Sequence, residues 1–257
     1  LKESPDWILV YGDTNSTLAG AMSASKLNIP VAHIEAGLRS YNKNMSEEIN
    51  RIMTDHMSDV LFCPSDQSKN NLKKENIVDN VYVVGDVMYD LFLKYKEKFN
   101  SNNSYGDYCL LTLHRAENTM KEVLEKRIKQ ISQIDMKIIF PIHPRTKKIL
   151  NELSIKLPKN INLVDPVGWF DLMNLIQSSK FVLTDSGGLQ KEVFWHKKFC
   201  FTLRNETEWI ETIHFKKNVL IKEDDLIDLN TINESSNFIN PYGEGNASDK
   251  ITKLLQN

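Results

Sequence analysis

Five short polar clusters in this 257-residue chain follow directly on apolar runs, and their residue types suit acid–base and anion chemistry. They are Gly12-Asp13-Thr14, Glu35-Ala36-Gly37-Leu38-Arg39, His114-Arg115, His143-Pro144-Arg145 and Asp185-Ser186-Gly187-Gly188. Three carboxylates of the first half, Asp13, Glu35 and Glu47, are candidate proton donors and acceptors. Asp13 and Glu35 close neighbouring strands of a predicted β-α-β unit, so their carboxylates are expected to converge on one crevice. Glu47 opens a predicted helix on which Asn50 and Arg51 fall at i+3 and i+4, on the same face. Two of the three have a plainer reading. Glu47 and Arg51 alone would be a solvated helical pair worth about 0.3–0.5 kcal/mol, and Asp13 alone would be a helix N-cap.

The Ser186-Gly187-Gly188 turn ends a strand and opens a helix. Glycines there let backbone N–H groups approach an anion closely, and the helix N-terminus adds partial positive charge. The same residues would serve if Asp185 and Ser186 only capped the helix. Glu192, in the second turn, favours the ligand reading, since its carboxylate can accept from a ribose diol. His114 and His143 each follow an apolar strand and each has an arginine, Arg115 or Arg145, one or two residues on. Two such histidines in successive loops, with cations beside them, read as anion contacts.

The elements that must position these groups are short. Strands are predicted at 7–11, 31–34, 60–63, 81–84, 109–113, 137–141, 162–164, 181–184, 199–203 and 219–221, alternating with amphipathic segments, the pattern of βα units feeding a parallel sheet. Most lack strict alternation, so helices are expected on both faces. The polar stretch over 98–107 reads as a linker between a partial N-terminal Rossmann-like domain, 1–97, and a C-terminal one, 108–241. A C-terminal helical segment, 242–257, is expected to pack across the domain boundary, and 224–237 carries no clear pattern.

Composition narrows the function. With 32 basic and 34 acidic residues the formal charge is −2, so no broad field draws the chain to nucleic acid or an anionic membrane. Cys63, Cys109 and Cys200 are widely spaced and sit in or beside apolar runs, which predicts buried free thiols, no zinc site and a reducing cytoplasm. The longest apolar stretches fall well short of the ~20 residues needed to cross a bilayer. The chain opens on Leu1 and enters a strand within a few residues, which reads as a start inside an existing domain. From the residues alone, then, this is a two-domain α/β protein that binds a phosphorylated or nucleotide ligand in an interdomain cleft. The reaction does not follow from spacing.

Taken in order, Tyr11-Gly12-Asp13-Thr14, His33-Ile34-Glu35-Ala36-Gly37-Leu38-Arg39, Glu47-Glu48-Ile49-Asn50-Arg51, Leu113-His114-Arg115-Ala116-Glu117-Asn118, Thr184-Asp185-Ser186-Gly187-Gly188-Leu189-Gln190-Lys191-Glu192 and Tyr242-Gly243-Glu244-Gly245-Asn246-Ala247-Ser248 resemble the non-hydrolysing UDP-N-acetylglucosamine 2-epimerases along essentially the whole chain. The resemblance implies a glycosyltransferase-B-type fold of two Rossmann-like domains, the first incomplete here, and a homodimer of the full-length protein. It implies no cofactor. Members of that family are understood to eliminate UDP to a 2-acetamidoglucal, then add it back with the C2 proton delivered to the other face. Carried over, the resemblance makes Asp13, Glu35 and Glu47 the essential carboxylates and sets Arg51 beside the reacting groups. His114 would handle UDP, Ser186, Gly187 and Gly188 its phosphates, and Glu192 its ribose. Uracil is expected against Val167-Gly168-Trp169-Phe170. Arg115 and His143 match positions that bind a second, activating sugar nucleotide in some bacterial members.

Three departures from the family pattern are visible. The opening Gly-Thr-Arg-Pro-Glu turn does not occur in the 257 residues, which predicts little activity if nothing precedes Leu1. Thr207-Glu208-Trp209-Ile210-Glu211 stands where common members have Thr-Glu-Arg-Pro-Glu, a form resembling relatives that act on UDP-2,3-diacetamido-glucuronate or in the N-acetylfucosamine pathway. Phe215-Lys216-Lys217-Asn218 lacks a glycine often found in that turn. The competing functions are a hydrolysing epimerase, a glycosyltransferase and an inactive UDP-binding fragment.

Overall fold

The computed structural model describes residues 3–100, 104–232 and 239–256. Leu1, residues 101–103 of the expected linker and residues 233–237 of the unassigned stretch lie outside the described residues. In chain order the elements are β1 (Ile8–Tyr11), α1 (Asn15–Lys26), β2 (Val31–Ile34), α2 (Ser46–Met57), β3 (Val60–Cys63), α3 (Asp66–Lys74), β4 (Val81–Val83) and α4 (Val87–Tyr95). There follow β5 (Tyr108–Thr112), α5 (Ala116–Thr119), α6 (Lys121–Ser132), β6 (Lys137–Pro141), α7 (Pro144–Glu152), β7 (Ile161–Val164) and α8 (Trp169–Ser178). The rest are β8 (Phe181–Thr184), α9 (Gly187–Trp195), β9 (Phe199–Thr202), α10 (Ile210–His214), β10 (Asn218–Leu220) and α11 (Ala247–Gln256). The chain is α/β with two all-parallel sheets, Rossmann-like in each. It divides into two compact units, 1–95 with 239–257, and 96–238.

The first unit carries the sheet β1-β2-β3-β4. Its register pairs Tyr11 with Ile34, Ile34 with Phe62 and Cys63 with Val83, so the strands end nearly level and their following loops share one edge. Helices α1 and α3 start where side chains satisfy their first N–H groups. Thr14 accepts from Thr17 N at the head of α1, and Ser65 and Ser68 cap α3 reciprocally. The segment set apart in the sequence as 242–257 folds into this unit. Ile251 of α11 joins Ala32, Phe62 and Val84 in a buried cluster against which Leu255 packs, while the α11 amides of Ala247 and Ser248 donate to Asp90 of α4 at 3.1 and 2.7 Å.

The second unit carries six strands in the order β10-β9-β8-β5-β6-β7. Strands β8 and β9 are buried at every position, the mark of a parallel sheet covered on both faces. Its core gathers Leu111, Phe140, Leu183 and Phe201 under Leu124, Ile128 and Ile131 of α6. The strand order reverses between β5 and β8, and such a switch point opens a crevice beyond the strands' carboxyl ends. Phe99, within the stretch read as linker, is buried and meets Trp169 edge-on, ring centroids 5.6 Å apart.

All three cysteines are free and buried, and burial pushes each thiol up to about 12. They are inert packing groups at neutral pH. Among the described residues no helix is long and apolar enough to cross a membrane, and no group of His, Cys, Asp or Glu could hold a metal ion.

Candidate active site

In the first unit, parallel pairing of β1 with β2 sets Asp13, two residues past β1, and Glu35, immediately past β2, on the same sheet edge. Glu35 stands at φ 73°, a backbone region that costs a non-glycine residue about 1–3 kcal/mol. Its amide and that of Ala36 both donate to the Phe62 carbonyl, at 3.1 and 3.0 Å, which holds the chain in that turn. Strain of this kind at the end of a strand is found where a side chain has to be aimed.

Arg51 is not the solvated partner of Glu47 that helical spacing alone would allow. It is buried, its Nη2 lies 3.0 Å from Asp13 Oδ2 and its Nη1 3.4 Å from Glu48 Oε2. Its Nε donates to the backbone carbonyl of Glu47 at 3.2 Å, whereas the Glu47 carboxylate accepts from the exposed Ser46 hydroxyl. Helix α2 therefore joins Asp13 through two neighbours, since Asn50 Nδ2 donates to the Asp13 carbonyl at 2.9 Å. Glu48, which the sequence did not single out, is buried and accepts from the amides of Ser40 and Tyr41 at 2.9 and 2.8 Å. It ties the loop after Glu35 to α2.

In the second unit an open pocket of ≈ 320 Å³ lies at the switch point. Its wall takes Thr112 and His114 from β5 and its loop, Pro141 and His143 from β6, Pro166 and Val167 after β7, and Ser186, Gly188 and Glu192 from α9 and the turn before it. The sequence reading of residues behind consecutive strands thus converges on one place for His114, His143, Ser186, Gly188 and Glu192. The His114 and His143 rings lie 6.1 Å apart. His143 caps α7, its Nδ1 accepting from Arg145 N at 3.2 Å.

Asp185 turns out not to be a helix cap. Fully buried, it accepts from the amides of His114 at 3.0 Å and Arg115 at 2.9 Å, and from Asn118 Nδ2 at 3.2 Å. His114 Nδ1 lies 3.2 Å from it, which leaves Nε2 as the ring's outward nitrogen. Arg115 is held through this backbone bond and a long ion pair with Glu117 at 3.9 Å. Ser186 is the cap, accepting from Leu189 N.

The two glycines of the turn have different reasons. A Cβ on Gly187 would strike the Glu208 carboxylate, which is buried and paired with Arg204 at 2.9 Å, whereas a Cβ on Gly188 would meet nothing within 4 Å. Gly187 lets the turn sit on that ion pair; Gly188 faces the pocket and leaves the first-turn amides of α9 open to an anion. Glu192 is already engaged on one oxygen, Oε1 accepting from Trp169 Nε1 at 2.7 Å. That bond places the Trp169–Phe170 pair, rings 5.1 Å apart, beside the pocket.

Sequence reasoning missed the buried polar groups that orient the site, namely His33, Glu48, Asp55 and the anchoring role of Asp185. Glu48 and Asp55 leave only the trace of a charged residue inside the amphipathic helix α2, which on a linear pattern is indistinguishable from a solvated face, and His33 leaves one polar residue in an apolar strand.

Comparison with known proteins gives a consistent result. The family model for UDP-N-acetylglucosamine 2-epimerase matches residues 1–256. A UDP-N-acetylglucosamine 2-epimerase homolog from Methanococcus maripaludis is 48% identical, over 100% of this chain and 77% of that protein. The UDP-2,3-diacetamido-2,3-dideoxy-D-glucuronate 2-epimerase of Pseudomonas aeruginosa is 44% identical, over 99% of this chain and 76% of its own length. The crystal structure of Methanocaldococcus jannaschii UDP-GlcNAc 2-epimerase in complex with UDP-GlcNAc and UDP superposes with a TM-score of 0.89 at 41% identity, covering 99% of this chain and 76% of that one.

Proposed function

Because the chain belongs to the UDP-N-acetylglucosamine 2-epimerase family, a family of isomerases, we propose that it inverts C2 of a UDP-N-acetylhexosamine, UDP-GlcNAc to UDP-ManNAc, without net hydrolysis. The observation that carries this reading is the Ser186-Gly187-Gly188 turn opening α9 on the switch-point pocket, with His114 and Glu192 on the same wall. A diphosphate suits the α9 amides and a ribose diol suits the Glu192 carboxylate. Direct removal of the C2 proton would be slow, since no carbonyl adjoins that carbon. In the proposed route a carboxylate takes the proton, the C1–O bond breaks with its electron pair leaving on UDP, and a C1=C2 double bond forms. UDP then attacks C1 and a proton is returned to the opposite face of C2. Asp13, Glu35 and Glu47 are assigned the proton transfers and Arg51 the charge beside them. The same reading includes a homodimer of the full-length protein and a cytoplasmic setting.

The test is nuclear magnetic resonance and mass spectrometry of the full-length protein with a panel of UDP-sugars in deuterated water. Deuterium at C2 of both epimers, with no free sugar, is the expected result. Free sugar with stoichiometric UDP would replace the reading with a hydrolysing enzyme, and transfer to an acceptor without C2 inversion would replace it with a glycosyltransferase. A modified UDP-sugar is the second reading, favoured by the 44% identity to the Pseudomonas aeruginosa relative and by Trp209. Trp209 is buried, with Lys191 Nζ 3.9 Å from its ring centroid, so it acts from beneath α9.

Glu192→Ala is expected to weaken UDP binding about 10- to 100-fold with the fold intact, the loss of a hydrogen bond to a charged acceptor. Calorimetry measures it, and unchanged affinity would remove Glu192 from the ribose role. Trp169→Phe, which removes only the donor to Glu192, is expected to cost less.

A further inference from the structure

His33 on β2 is wholly buried, and both of its ring nitrogens face acceptors. Nδ1 is 2.7 Å from Asp55 Oδ1 and Nε2 is 2.8 Å from the Gly12 carbonyl oxygen. A carbonyl oxygen only accepts, so Nε2 carries a proton. Asp55 also takes the Gly37 amide at 3.2 Å and Arg39 Nη1 at 2.6 Å. A carboxylate facing those donors and a guanidinium is ionised, so Nδ1 carries a proton as well. A ring protonated on both nitrogens is an imidazolium.

The charges of the cluster reach the same answer. Arg39 also grips Glu75 with two hydrogen bonds, each 2.7 Å. Two carboxylates thus share one guanidinium; Glu75 is partly exposed and also has His56 3.6 Å away, whereas Asp55 is wholly buried and His33 is the further cation facing it. Burial works against that charge, but Asp55, the bond to Gly12 and the field of Glu35 outweigh it and raise His33 above the usual histidine value.

The carbonyl that His33 holds belongs to the residue before Asp13. Gly12 stands at φ 65° and donates its own amide to Ile34 at 3.1 Å, while the next carbonyl, that of Asp13, is held by Asn50. Resting on the functional reading above, we propose that His33 is a positioning residue, a buried imidazolium that fixes the Gly12–Asp13 peptide and so aims the Asp13 carboxylate for proton transfer at C2.

The test is nitrogen-15 NMR of the full-length, histidine-labelled protein across neutral and mildly alkaline pH. Both His33 nitrogens are expected to give protonated-ring shifts well above the ordinary histidine range. A neutral ring at neutral pH overturns the inference. The signals are assigned by their loss in His33→Gln or, should that variant not fold, by substituting the other five of the six histidines in turn. In folded His33→Gln, kcat for C2 deuterium exchange is expected to fall at least about tenfold with KM within about twofold, as for loss of one oriented acid–base group. An unchanged kcat overturns the positioning role. A neutral His33 in a chain that exchanges C2 sinks this inference alone, whereas an imidazolium in a chain with no C2 exchange sinks the functional reading and the catalytic part of this inference together.

Discussion

Asp13→Asn reduces exchange of solvent deuterium into C2 of the UDP-sugar by about 10²- to 10⁴-fold, the range of a lost general acid or base. The substitution keeps the shape of the side chain and one oxygen able to accept from Arg51 Nη2, now 3.0 Å from Asp13 Oδ2. What it removes is the charge and the capacity to take and return a proton. Arg51 keeps its longer contact to Glu48 at 3.4 Å, so its guanidinium is not stranded. The expected signature is therefore a collapse of kcat with a modest change in melting temperature. UDP affinity should hold, because the pocket residues His114, Ser186, Gly188 and Glu192 belong to the second unit. Wild-type exchange in a folded Asp13→Asn protein would remove this carboxylate from the chemistry.

The second large effect is on stability. Asp55→Ala is expected to cost about 3–5 kcal/mol, as breaking a buried ion pair by removing one partner does. That is a large share of the ~5–15 kcal/mol that holds a typical domain together. Asp55 is fully buried and bonded to His33, Arg39 and the Gly37 amide, so its loss leaves a buried imidazolium and part of a buried guanidinium uncompensated. Denaturant unfolding measures the change, and a variant within about 1 kcal/mol of wild type would show that the network contributes little.

The pH dependence follows from the two shifts with opposite signs. Burial opposes the Asp55 charge, yet His33 and Arg39 hold its carboxyl below the usual range. Its contribution to stability is whole above the unfolded carboxylate value near ~4 and is lost as pH falls through the lower folded value. His33 is shifted upward, so its contribution is whole below the unfolded histidine value near ~6.5 and is lost as pH rises through the folded one. Stability of the first unit should accordingly fall on both sides of a plateau. In Asp55→Asn the alkaline fall should shrink, because the main support of the charged ring is gone and only the Gly12 bond and the field of Glu35 remain.

His196 adds a smaller acid-side term in the second unit. Burial, with Lys198 nearby, lowers its ring to about 4, so the unfolded chain binds more protons between that value and the ordinary one. Stability from this residue declines as pH falls through that interval.

Much of this protein could be read without coordinates. Strands such as 60–63, 181–184 and 199–202 are short apolar runs closed by polar turns, and parallel βα units are what that pattern encodes. Looking behind the strands for candidate site residues follows from sheet topology alone, which is why His114, His143, Ser186, Gly188 and Glu192, which line one pocket, were legible as a group. The fate of 242–257 was less so, because an amphipathic helix declares that it has a buried face but not which neighbour covers it. Here Ile251 is covered by Phe62 and Val84, far earlier in the chain.

Fold class, the alternation of strands and helices, and the residue types available for acid–base and phosphate chemistry are all written in the linear chain. These rest on local periodicity and on rules of chain connection, which act over a few residues or one βαβ unit. Tertiary structure alone decided which charge meets which: that Arg51 reaches Asp13 rather than Glu47, that Asp185 anchors the His114 loop, and that His33 and Asp55 share a proton-rich, buried contact. Those pairings depend on distances of about 3 Å between groups tens of residues apart, and on exclusion of water, neither of which a linear pattern carries.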